Sequence, residues 1–297
     1  MKKAICGILI FALVLGLCSC GERENSSSDS SSSENYPEHQ YLTNDAVDFN
    51  YDTMLRLDIP EVGLENLFIR EKTALTQIES ETYGEVYLLG DDRWGRRTMP
   101  SAHYLAVVTD GKLIVKDIFE LAAYSGKLYL NDCDGDGDNE ITVQETVAMT
   151  GGAGQYLSRV FDFKSGEINE VFTSRVDGWI VDTGFTGEIM KNKKLKIKNR
   201  FTGFSKIINF SDIENEDYFN WWYDENGEII PRDIMVDSFF EFIPVDIDGD
   251  GVFEIKGKQY VSLIGHANGI GAAISYFSYN NEKGKFEIIK SDFETFK

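Results

Sequence analysis

From Gly84 onward the chain is a succession of short runs, each mostly five to eight residues, in which apolar and polar side chains alternate. The runs "GEVYLLG", "HYLAVVT", "KLIVKDI", "KLYLN", "EITVQETV", "YLSRVFDF", "KLKIKNR", "SKIINF", "YVSLIGH", "AISYFSY" and "KFEIIK" are rich in Val, Ile, Tyr, Phe and Thr, and Gly, Asn, Asp and Lys punctuate them. A period of two places successive side chains on opposite faces, so each run reads as a half-buried strand bounded by a turn. Asp110-Gly111 between "VVT" and "KLIV" is a strong signal for a tight hairpin. Helical periodicity is confined to "GLENLFIREKTALTQIE" and "SDIENEDYFNWWYDE", which predict one or two short helices in a mostly β chain.

Two stretches break the alternation in the same way. "LNDCDGDGDNEI" and "PVDIDGDGVFEI" place carboxylates at Asp132, Asp134, Asp136 and Glu140, and again at Asp246, Asp248, Asp250 and Glu254. Counted from the first Asp, the acids fall at positions one, three, five and nine, with Gly137 or Gly251 at six to permit a sharp bend. The backbone carbonyl at position seven, of Asp138 or Val252, completes a set of hard oxygen donors suited to Ca²⁺. Two carboxylates about 4 Å apart repel by about 4 kcal/mol at an effective dielectric near 20. A loop that converges several of them needs a cation or stays open. The alternative, a solvated acidic turn, explains one such stretch better than two with the same spacing. These are not helix-flanked calcium loops, because the twelfth position is Val143 or Gly257 rather than Glu and the flanks are strand-like.

The strand, "DxDGDGxxEI" loop, strand, Gly-rich turn, strand, turn, strand order resembles the FG-GAP and VCBS repeats of integrin-like β-propellers, over roughly 126–172 and 239–289. The two copies agree beyond the acids, with "TGGAGQ" against "IGHANGIG" and "VFDF" against "YFSY". The resemblance implies loops that brace blades while partners bind elsewhere. The copies lie about two blade lengths apart, and a complete propeller does not fit the length. The expected architecture is therefore a propeller-like array of short antiparallel sheets, four or five blades, incomplete or open. Its two calcium sites should have the affinity of extracellular modules, about 10⁻⁴ to 10⁻³ M.

The compartment is read from the first residues. "MKKAICGILIFALVLGLCSC" has a basic tip and an apolar stretch too short to span a bilayer with ease, followed by Leu17 and Ser19 ahead of Cys20. This resembles a bacterial lipobox, which implies a signal peptide over 1–19 and a lipidated Cys20, and so an anchor on the extracytoplasmic face of the cell membrane. Residues 20–44, rich in Ser and charge, read as a flexible linker, and 45–297 as the β-repeat domain. Of the four cysteines only Cys133 remains in that domain, so no internal disulfide forms. Neighbouring acids should raise its pKa and make it a poor nucleophile.

A formal net charge of −21 repels nucleic acid and suits a holder of divalent cations. No catalytic constellation is recognisable around the three histidines, His39, His103 and His266, and no pair of carboxylates stands out for glycoside cleavage, so the chain reads as a non-enzyme. "YFNWWYDENG" carries Trp221 and Trp222, adjacent rings that face opposite sides in extended chain, so one can pack inward while the other meets a sugar or protein. "MKNKKLKIKNR" places Lys194, Lys196 and Lys198 on one solvated strand face. The resulting reading is a calcium-braced protein that binds or scaffolds a cell-surface protein or glycan. The rivals are a polysaccharide hydrolase on the same frame and a purely structural envelope protein.

Overall fold

The computed structural model describes residues 56–59, 64–91, 103–110, 112–118, 123, 125–148, 155–177, 179–191, 193–209, 222–263, 265 and 268–296. They form a mostly β protein of several antiparallel sheets, each following chain order without crossover.

The first sheet joins β1 (Arg56–Ile59), β2 (Leu64–Gln77), β3 (Thr82–Asp91), β4 (His103–Thr109) and β5 (Lys112–Asp117). The second joins β6 (Ser125–Asn131), β7 (Glu140–Ala148), β8 (Gln155–Lys164) and β9 (Glu167–Thr173). A two-stranded ladder, β10 (Arg175–Val176) and β11 (Trp179–Ile180), precedes a three-stranded sheet of β12 (Phe185–Met190), β13 (Lys194–Asn199) and β14 (Ser205–Asn209). The last sheet holds β15 (Met235–Val245), β16 (Glu254–Ser262), β17 (Gly269–Asn280) and β18 (Lys285–Thr295).

The alternating runs become strands where the sequence places them. "HYLAVVT" is β4 in full, and Thr109 pairs with Lys112 across the Asp110-Gly111 connection, Asp110 taking a positive φ of 49°. The helix expected over "GLENLFIREKTALTQIE" is instead β2, paired in register from Leu67↔Asp91 to Gln77↔Thr82. Its period was masked for a physical reason. A bulge shifts the register between Ile69 and Glu71, and Leu67, Phe68, Ile69 and Arg70 are all buried, so no two-residue alternation survives at that end. Most of the second expected helix lies outside the described residues; at its end Tyr223 bridges to Ile229 in an antiparallel contact.

The second and last sheets are copies of one another. Asn131 pairs with Glu140 and Val245 with Glu254, so each acidic stretch is the hairpin loop between the first two strands of a four-stranded meander. Ile141 then pairs with Phe161 and Ile255 with Phe277. Even the irregularities correspond: a bulge falls between Val160 and Phe161 on the β8–β9 edge, and between Tyr276 and Phe277 on the β17–β18 edge.

Three apolar clusters join the sheets. Leu75, Val86, Leu88 and Leu105 of the first sheet pack on Ile141, Val143, Phe161 and Phe163 of the second. Val160 of the second sheet and Cys133 meet Phe239, Phe242, Ile255 and Phe277 of the last, with the Phe172 ring stacked on Phe242 at 5.2 Å. Leu195, Ile197 and Ile208 of the three-stranded sheet meet Val261, Ile270, Ala273 and Phe293, also of the last. The last sheet thus touches both the second and the three-stranded sheet, and its acidic loop is brought beside that of its copy. Each fully buried large apolar side chain in these seams is worth about 1.5–3 kcal/mol.

Candidate metal centre

Each loop curls as its residue order dictates. The carboxylates of Asp132, Asp134 and Asp136 each present an oxygen within 4.8 Å of the others, and Asp246, Asp248 and Asp250 do the same. Backbone N–H groups hold them in place. Gly135 donates to Asp132 Oδ1 at 2.7 Å, Gly137 to Asp132 Oδ2 at 2.9 Å, and Asp136 to Asp134 Oδ1 at 3.0 Å. The second loop repeats the pattern, from Gly249 and Gly251 to Asp246 and from Asp250 to Asp248. The bend needs glycine at two places in each copy, since Gly135 and Gly137 take φ of 79° and 88°, and Gly249 and Gly251 take 81° and 92°. At position seven Asp138 and Val252 donate their N–H groups to Asp136 and Asp250.

Position nine differs in burial between the copies. Glu140 is only 2% exposed; its Oε2 accepts the Cys133 N–H at 2.7 Å, while its Oε1 is buried with no hydrogen-bond partner. Burial raises the Glu140 carboxyl to about 8, against the Cys133 N–H that lowers it, and the charges of Asp134, Asp136 and Asp162 push it further up. A buried carboxylate oxygen that lacks a donor and feels the charge of three acids has the chemistry of a cation ligand. Glu254, less buried, accepts the Ile247 N–H at 3.3 Å in the same way. The donor set, all carboxylate oxygen with the carbonyls of position seven, fits a hard divalent ion of the Ca²⁺ kind.

The surroundings of the loops differ. Lys164, at the end of β8, sends its Nζ to Asp134 at 3.0 Å, Asp136 at 2.8 Å and Asp162 at 3.3 Å. Although desolvation opposes it, these carboxylates hold the ammonium well above the usual lysine range. Despite its own partial burial, Asp136 is kept below the ordinary carboxylate range by that ammonium. Asp162 is raised by burial, which outweighs the lowering by Lys164, and Asp134 and Asp136 add a smaller upward push. The carboxylates of the second loop bond only to backbone N–H groups among the described residues, and Asp246, Asp248 and Asp250 are exposed.

The first loop is also docked on both sides. Asp138 turns its side chain outward and accepts the N–H groups of Glu79 and Ser80, at 2.9 and 3.1 Å, in the β2–β3 turn. Gln77 bonds Asn139 through both its amide oxygen and its nitrogen. On the other side Phe253 of the second loop donates to the Asp132 carbonyl at 2.7 Å, and Asn281 Nδ2 reaches the Asp134 carbonyl at 2.9 Å.

Sequence reasoning missed Lys164 and Asp162. The signal was present in the alignment of the copies, where "VFDFK" carries an acid and a base at the places "YFSYN" fills with Ser278 and Asn280. Cys133 stands where expected, 2% exposed, its thiol pushed up by burial and then by Glu140 and Asp132. Of the two adjacent rings offered for binding, Trp222 is an inward one, fully buried among Phe185, Leu195 and Val261. Trp221, His39, His266 and Cys20 lie outside the described residues. His103 is more buried than a half-exposed strand position, its Nδ1 against Glu145, whose other oxygen takes the Arg159 guanidinium at 2.8 Å. All three side chains are buried.

The fold and site define a mostly β protein of antiparallel meanders, two of which carry matching acidic hairpin loops. Residues 183–294, which take in the three-stranded sheet and the second loop, match the model of the YybI C-terminal domain. The chain is similar to the "Uncharacterized protein YybI" of Bacillus subtilis (strain 168), with 24% identity over 218 residues, 68% of this chain and 76% of that protein.

Proposed function

We propose that this is a membrane-anchored extracytoplasmic β-repeat protein whose Asp132 and Asp246 loops each hold a structural Ca²⁺, in a propeller-like array that binds or scaffolds at the bacterial surface. The observation that carries the reading is Glu140 Oε1, buried and without a donor in the same loop as three converging aspartates. A bound ion would supply the missing positive partner to an oxygen that otherwise costs about 1–3 kcal/mol to keep buried. Asp132, Asp134, Asp136 and Glu140 would hold one ion, with the Asp138 carbonyl, and Asp246, Asp248, Asp250 and Glu254 the other, with the Val252 carbonyl. Because the two loops touch and the first also grips the β2–β3 turn, the ions would brace three sheets at once. The carboxylates are consumed as ligands, which favours bracing over turnover. Cys20 would carry the lipid, and a protein or glycan partner would bind elsewhere on the surface.

Thermal unfolding with calcium and with chelator tests this. The wild-type chain should melt higher in calcium, by about 1.4 kcal/mol per site at tenfold excess over the dissociation constant. Asp134→Ala with Asp248→Ala should remove that difference, and a melting temperature that ignores chelator in the wild-type chain would overturn the metal reading. Cys20→Ser should release the protein from the membrane fraction; continued sedimentation with membranes would remove the anchor.

A further inference from the structure

The two loops share a sequence pattern, a hairpin register and a set of N–H donors, yet one of them already contains a positive charge. Lys164 Nζ lies within 3.3 Å of Asp134, Asp136 and Asp162, against two of the three aspartates that the loop pattern reserves for a cation. Its counterpart in the last sheet is Asn280, whose amide is turned to Glu287 at 3.0 Å. Among the described residues no ammonium or guanidinium reaches Asp246, Asp248 or Asp250. Glu140 adds an observation that the three aspartates do not: its buried Oε1 still lacks a donor although Lys164 is in place. The ammonium therefore neutralises the outer part of the ring and leaves the inner ligand unserved.

We infer that Lys164 is the resident counter-ion of the first loop and that the two loops take up Ca²⁺ unequally. The second loop loads directly. The first loads only when the metal displaces the lysine. The inference rests on the metal reading above and adds a built-in competitor to it. A six-to-eight oxygen shell cannot form while an ammonium occupies two of the aspartates, because the two cations would repel one another at contact distance. The side chain has somewhere to go. Lys164 also lines a groove of about 540 Å³ with Ser80, Thr82, Thr109 and Lys112, where its ammonium can be hydrated. With Lys164 against Asp134 and Asp136, part of the repulsion in the first loop is already relieved in low calcium, so its closure would depend on metal less than that of the second loop.

Calcium titration calorimetry on the full chain tests the competition. Asp248→Ala silences the second loop and isolates the first. In that background Lys164→Met should tighten calcium binding about tenfold or more, and Lys164→Arg, which restores a cation, should keep it weak. Acylation of Lys164 by an amine reagent, followed by mass spectrometry, should speed up when calcium is added to the wild-type chain. If Lys164→Met binds calcium no more tightly than its parent, or if the acylation rate ignores calcium, the competitor role is overturned while the metal reading stands. If the wild-type chain takes up no calcium, both fall together.

Discussion

Replacing Glu140 by Gln tests the inner ligand without changing its shape. In the metal-free folded protein the Glu140 carboxyl titrates at about 8, against 4.5 for an unperturbed glutamate. The folded state therefore holds one more proton than the unfolded chain between those values. The sign follows: this group's contribution to stability is full below pH 4.5, declines as the pH rises, and is lost once the pH passes 8. The slope approaches about 1.4 kcal/mol per pH unit and the total about 5 kcal/mol at the limit. Gln cannot lose a proton, and its amide oxygen can still accept the Cys133 N–H. Urea unfolding in chelator at pH 5, 6, 7 and 8 should show the wild-type chain losing stability relative to Glu140→Gln at each step. On the proposed calcium reading the order should reverse in saturating calcium, since the ionised Glu140 would then have its cation and Gln would be the poorer ligand. A constant difference between the two proteins across this pH range in chelator would refute the reasoning, because it would mean that the buried carboxyl does not titrate there.

Other perturbations read other parts of the molecule. Trp222→Ala should cost about 3–5 kcal/mol in chemical denaturation, because a fully buried ring is replaced by a cavity between the three-stranded and last sheets; a loss under 1 kcal/mol would place the ring at a yielding surface. Glu145, buried but held below 4.5 by His103 and Arg159, stabilises the fold above its unfolded pKa and loses that contribution as the pH falls through its folded value. Glu145→Gln should destabilise the protein by about 3–5 kcal/mol at pH 7, since Arg159 is left buried without its carboxylate, and should flatten the loss of stability below pH 4.5; an unchanged acid limb in unfolding curves would contradict this. The Cys133 thiol should resist alkylation at pH 8 in the folded chain and react once denatured, as mass spectrometry would show; rapid labelling of the native protein would contradict its burial.

The strands and both acidic hairpins were legible because each is a local property. A period of two, a Gly at a bend and an Asp every second residue act within a few bonds of one another, and the pairs Asn131↔Glu140 and Val245↔Glu254 follow from identical loop lengths. β2 was misread where locality failed: a bulge and burial on both faces hid its alternation, and the paired β3 strand overrode the helix-forming residues of "LENLFIREKTALTQ". Lys164 could not be read at the first loop from spacing alone, because it arrives from the far end of β8 through the sheet register.

The amino-acid order by itself determined the strands, the repeat and the two convergent sets of carboxylates, since backbone geometry and side-chain charge act at short range. Tertiary packing decided what each set faces. Docking between the β2–β3 turn and the last sheet buries Glu140 and holds the first loop against Lys164, whereas its copy keeps its aspartates in water. The same pattern thereby yields two unlike sites, because desolvation and counter-charge depend on which surfaces meet, and that is set by packing across the whole chain.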